Sequence, residues 1–210
     1  MLPNYDAKAV AEVMGIAFVR GSKEGEANRE PHKSVSSKVD DDFVIRVDDA
    51  LMLVVELKAK SALALFGKSK TFGRRLSQFK SHLVSSPSPV LIEKAVEGGL
   101  PRQALRRVAE LIAGDDKTKV SALEWGVVPR TTLERRESKL SLQESERTER
   151  TARIFVHARR ALGTEAEARE FMTTPHPELD GRSPFDAAKT DLGARRAEQI
   201  LNALEYGLAL

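Results

Sequence analysis

The stretch 173-TTPHPELDGRSPFDAAKTDLGARRAEQILNALEYGL-208 sets two prolines around His176, follows them with Gly181-Arg182-Ser183-Pro184, and then becomes an apolar helix pattern that stops at Gly207. Pro175, Pro177 and Pro184 narrow the freedom of the unfolded chain, and Gly181 can take the left-handed conformation of a tight corner. Arg182 stands at that corner, where its planar fork suits a carboxylate or a phosphate. Ser183 with Pro184 opens a capped helix, and Thr190 or Asp191 opens the last one. The apolar tail 208–210 suits insertion into a cleft on another protein, or packing back on its own domain.

The same punctuation extends upstream. Thr164 with Glu167, and Ser141 with Glu144, have the spacing at which a hydroxyl and a carboxylate satisfy the unpaired amides of a helix start. A long helix is therefore expected from Ser141 to about Leu162, broken by Gly163. Before it, VLIEKAV (90–96) stops at Gly98-Gly99, and Pro101 can sit in the first turn of RQALRRVAELIA (102–113), whose Leu105, Val108, Ala109 and Ile112 share one face before Gly114. The Ser- and Pro-rich step SSPSP (85–89) marks the main boundary. A chain beginning near Pro89 is expected to fold by itself.

The N-terminal part is different. Residues 20–42 are rich in Ser, Gly and charge and read as a polar linker. FVIRV (43–47) alternates like a strand. LMLVVELKAKSALALFG (51–67) fits either a buried strand running into a helix or one continuous helix, so an α+β structure for this extension stays open. Phe72, Leu76, Phe79 and Leu83 recur at helical spacing among basic residues, as in an amphipathic helix. Over all 210 residues, 41% hydrophobic content allows a modest core, while only 5% aromatic against 31% charged residues favours small helical layers. The formal charge of +3 does not by itself imply a polyanionic partner. The chain has no cysteine, which excludes disulfides, a thiol nucleophile and cysteine-ligated zinc and suits a reducing cytosol. No secretory signal and no membrane span is expected; the most apolar stretch is interrupted by Glu56, Lys58 and Lys60.

KVSALEWGVVPRTTLERRESK (119–139) reads as a helix, a tight turn at Gly126 to Val128, and a second helix opened by Pro129. The second carries Arg130, Thr131, Thr132, Arg135, Arg136 and Lys139, with Leu133 as its inward anchor. Forked Arg donors and hydroxyls on a small helix are what a major-groove reader needs. The alternative is a solvated helix in which Glu134 and Glu137 pair with Arg along the surface.

Taken together, VPRTTLERRESKLSLQESERTERTARI (128–154) and the proline-flanked segment resemble the Xre/MbcA/ParS family of bacterial type II antitoxins over roughly residues 90–210. The most specific points are the proline loop, Gly181, Pro184, Gly193-Ala194-Arg195-Arg196 and Glu205-Tyr206-Gly207. The resemblance implies a mainly α protein with an Xre-like helix-turn-helix module for operator double-stranded DNA at 89–162, a helical toxin-binding module at 163–210, and the extension 1–88. It also implies a homodimer in the bacterial cytoplasm that blocks a RES-domain, NAD-degrading toxin and represses its own operon. The alternative is a stand-alone regulator whose C-terminal module only dimerises. By this resemblance Arg130, Thr131, Thr132, Arg135, Arg136 and Lys139 face DNA, and Arg182, Arg195, Arg196, Glu205, Tyr206, Gly207 and Leu208 face the toxin. One departure stands out: Gly126 falls one position early, with Val127 where the turn glycine belongs.

Enzymatic readings fail on the residues. His32, His82, His157 and His176 show no metal-ligand spacing, and FGKS (66–69) lacks the upstream glycine of a phosphate loop. Asp40, Asp41, Asp42, Asp48 and Asp49 read as solvated charge or helix caps rather than a metal cluster. No cofactor, metal or catalytic residue is expected.

Overall fold

The computed structural model describes residues 5–20, 44–48, 51–55, 87–135 and 139–207. The linker 20–42 apart from Arg20, the basic amphipathic stretch 70–83, FGKS, His32, His82, Asp40–Asp42, Asp49, Arg136 and Leu208 lie outside them.

Asp6 caps the first helix, α1 (Ala7–Met14), by accepting from the Ala9 amide at 2.9 Å, and Gly15 ends it in the left-handed region. Strand β1 (Ile16–Arg20) follows directly. With β2 (Val44–Asp48) and β3 (Leu51–Val55) it forms an antiparallel sheet of order β1-β3-β2, in which Ile16 pairs with Val55 and Val44 with Val54. Val44–Val47 and Leu51–Val55 thus take the strand reading. Asp48 lies in β2, not at a helix cap.

From Pro89 onward the described chain is helical: α2 (Pro89–Glu97), α3 (Arg102–Ala113), α4 (Lys117–Val127), α5 (Arg130–Arg135), α6 (Leu142–Leu162), α7 (Glu165–Thr173), a 3-10 turn (Pro177–Leu179), α8 (Pro184–Ala187) and α9 (Asp191–Tyr206). Helix α6 is the axis. Its capping box is complete, with Ser141 accepting from the Glu144 amide and the Glu144 carboxylate accepting from the Ser141 amide at 2.7 Å. Ala152, Ile154, Phe155 and Ala158 are buried around it. Buried Thr148 and Thr151 return their hydroxyl protons to the carbonyls of Glu144 and Arg147, so neither is left without a partner. Gly163 closes α6 with φ 91°.

Helices α9, α7, α3, α2 and α1 all pack on α6. Val10, Met14 and Phe18 of the N-terminal segment join the same buried cluster as Leu105, Phe155 and Leu201. The core therefore crosses both sequence boundaries, 88/89 and 162/163. A fragment beginning at Pro89 would lack the part of this packing that Val10, Met14 and Phe18 supply.

Two local expectations are corrected, at Pro101 and at Gly126. Pro101 is the residue before α3, paired in an isolated bridge with Lys139, rather than within its first turn. Of the two starts open for α9, Thr190 is the cap, accepting from the Gly193 amide at 3.1 Å, and Asp191 is the first helical residue. Gly126 does not form a turn: α4 runs through it to Val127, and the chain leaves the helix at extended Val128. A Cβ on Gly126 would lie 2.7 Å from Phe185 Cε1, so this glycine is where the α8 ring seats against α4.

Candidate functional site

The proline loop is closed by its own hydrogen bonds. His176 donates its amide to the Arg182 carbonyl, and its carbonyl accepts from the Leu179 and Gly181 amides. The His176 ring caps the 3-10 turn through Nδ1, which accepts from the Glu178 amide at 3.2 Å, and meets Phe171 edge-on. Asp180 and Gly181 both take positive φ, 58° and 73°, which reverses the chain. Leu179 is driven fully into the core. At the corner, Arg182 turns back to the Leu179 carbonyl and Asp180.

Helix α9 is pinned to this loop and to α6 by named pairs. Arg196 donates to Asp180 at 2.6 Å and to the Glu178 carbonyl at 2.5 Å, and these contacts hold the Asp180 carboxyl below the usual range. In the middle, Arg153 of α6 bonds Glu198 at 2.6 Å and Glu149 at 3.4 Å. Tyr5 donates to Glu149 at 3.0 Å, so the network reaches the segment before α1. Burial pushes the Glu149 carboxyl up, opposed by the charge of Arg153. At the far end Arg160 grips Glu205 through Nε and Nη2, both at 2.9 Å, and His157 Nε2 lies 3.2 Å from the same carboxylate. The Arg160 bonds hold the Glu205 carboxyl low, while burial and then the Arg160 charge push His157 down.

Pinned this way, α9 exposes one face. Leu192, Arg195, Gln199 and Tyr206 recur at helical spacing and are all exposed, Leu192 by 71% and Tyr206 by 60%. Among the described residues Arg195 pairs with Asp191 one turn earlier, at 2.9 Å and with both side chains largely in solvent, so it can exchange that partner at little cost.

Residues 157–207 match the family model described as the antitoxin Xre/MbcA/ParS C-terminal toxin-binding domain. This segment is similar to an antitoxin's toxin-binding domain. The match begins at His157 within α6, ends at Gly207, and covers about a quarter of the chain. It contains the whole proline loop and α9, and it supports an antitoxin role. No curated protein matches the chain.

Of the residues expected to face the toxin, Arg195 and Tyr206 lie on the exposed face of α9 and Gly207 caps its end with φ 63°. Arg182, Arg196 and Glu205 also make contacts within the chain; Arg182 stays exposed, and Arg196 and Glu205 are half-buried. Leu192 and Gln199 were not among those expected; Leu192 falls off the Ala194-Ala197-Leu201 stripe, and that offset is the signal. The residues expected to face DNA are scattered differently. Arg130, Thr131 and Arg135 are exposed on α5, Thr132 is half-buried, and Leu133 is buried as the anchor. Lys139 is exposed but lies beyond α5, in the bridge to Pro101. Among the described residues no group of three or more His, Asp or Glu converges as a metal site, and no helix is long and apolar enough to cross a membrane.

Proposed function

We propose that this protein is a non-enzymatic antitoxin of a bacterial type II system, acting in the cytoplasm, that binds a RES-domain toxin and blocks access of NAD to it. The single observation that carries this reading is the toxin-binding-domain match over a segment whose last helix presents an exposed apolar and basic face. An aromatic and an aliphatic side chain flanking an Arg are the side-chain types that anchor protein interfaces. The α4–α5 hairpin, with exposed Arg130, Thr131 and Arg135, is the candidate contact for operator DNA and autorepression. Co-expression with the neighbouring gene product tests the main reading. A RES-type neighbour should co-purify and its NAD consumption should stop; a neighbour that neither binds nor consumes NAD refutes it.

A second reading is a stand-alone regulator in which the α9 face only joins two copies. Asp191 and Arg195, opposite charges one turn apart on that face, would pair across a two-fold axis. Sedimentation with and without Leu192→Glu separates the readings: loss of a dimer without loss of toxin inhibition favours self-association there.

A further inference from the structure

Trp125 is the only tryptophan of the chain, and it stands 44% exposed near the end of α4. Across the short connection, the guanidinium carbon of Arg130 lies 5.1 Å from the Trp125 ring centroid. Arg130 Nε donates to Glu134 Oε1 at 2.8 Å, one turn along α5. The cation–π contact with the ring and the Nε bond together restrict how the guanidinium can turn. Arg130 and Glu134 remain 64% and 59% exposed. Among the described residues Arg130 makes no other hydrogen bond, which leaves Nη1 and Nη2 open to solvent as a flat, oriented fork.

The arrangement contributes little to folding. An ion pair this exposed adds at most about 1 kcal/mol, and Arg preceding Glu at i,i+4 is the less favourable order on a helix. An exposed Trp is a residue type concentrated at interfaces, not on plain surface. Ordering an Arg in solvent also costs side-chain freedom, which is recovered when a partner takes both Nη groups. Such a fork matches two oxygens of a phosphate or the paired O6 and N7 acceptors of guanine. The Glu134 carboxylate beside it repels phosphate, which favours the base edge.

We propose that Trp125 and Glu134 are positioning residues that preset Arg130 as a bidentate donor to a guanine edge of double-stranded DNA. This rests on the DNA reading of the α4–α5 hairpin. The test uses the full chain and a labelled duplex from upstream of its own coding sequence, with a scrambled duplex of equal length, followed by anisotropy and by Trp125 fluorescence over a salt series. Fluorescence should change in step with anisotropy. Trp125→Ala and Glu134→Gln should each weaken binding several-fold with unchanged thermal midpoints, Trp125→Phe should restore most of it, and Arg130→Lys should lose about tenfold despite keeping its charge. Loss of preference for the native duplex in Arg130→Ala marks a guanine contact; a salt slope lower by about 1 with preference intact marks a phosphate and overturns the guanine assignment. Wild-type binding with unmoved fluorescence, and Trp125→Ala binding like wild type, would overturn the positioning role while leaving the DNA reading standing. No anisotropy change with either duplex would remove the DNA reading itself, and this proposal with it.

Discussion

Gly126 shows how one missing side chain ties the middle of the sequence to its C-terminal part. In a free helix Gly→Ala stabilises by up to about 1 kcal/mol. Here the new Cβ would meet the Phe185 ring at 2.7 Å. Gly126→Ala is therefore expected to destabilise by about 1–3 kcal/mol in chemical unfolding, with partial recovery in combination with Phe185→Leu. A stabilised single variant would show that the ring moves aside freely. The His157–Glu205–Arg160 clasp makes a pH-dependent contribution. His157 is held below its ordinary 6.5, so the unfolded chain binds the proton first and stability falls as pH drops below about 6.5. Glu205 is held below its ordinary 4.5, and its contribution is lost at still lower pH, as pH falls through the depressed value. Glu149 acts oppositely, its raised value costing stability as pH rises through and above 4.5. Replacing His157 by Gln should flatten the unfolding midpoint between pH 6.5 and 5 and leave the lower limb; an unchanged slope there would show that His157 does not carry it.

At the scale of elements, α1 and α9 are the two helices whose roles depend on what they cover. Met14 and Val10 are fully buried in the core shared with α3 and α6. Met14→Ala should cost about 2–5 kcal/mol, and the fragment from Pro87 onward should bind a hydrophobic dye that the full chain does not. A fragment with the full chain's midpoint would make α1 an ornament. Helix α9 gives the converse prediction. Leu192 is almost entirely in solvent, so Leu192→Ala should shift stability by no more than about 0.5 kcal/mol. Yet it should weaken capture of the toxin by tenfold or more if the exposed face is the contact. Equal capture by Leu192→Ala and Tyr206→Ala together would place the contact elsewhere.

For the whole molecule, one buried cluster runs from Ala7 in α1 to Leu201 in α9, and the Tyr5–Glu149–Arg153–Glu198 chain crosses it with hydrogen bonds. Elements that share a core unfold together. Thermal melts followed by helical circular dichroism and by Trp125 fluorescence should therefore coincide. Two separated transitions would mean that the α4–α5 hairpin and the segment 157–207 are energetically independent despite the Phe185 contact.

Much of the helical architecture was legible in the residues. The starts at Ser141, Thr164 and Ser183, the stops at Gly114, Gly163 and Gly207, and the buried face of α3 rest on interactions spanning three or four positions, so the local sequence determined them. The exposed Leu192 was legible too, from its place off the apolar stripe. The tertiary structure alone decided the rest. Arg196 meets Asp180, Glu205 meets Arg160, Tyr5 meets Glu149, and Gly126 meets Phe185 across separations that no helical or strand period encodes. The sequence could supply charged groups and a glycine, but which of them close on one another depends on how α1, α4, α8 and α9 pack around α6. That packing gave Arg182, Arg196 and Glu205 partners within the chain and left Leu192, Arg195 and Tyr206 exposed on α9.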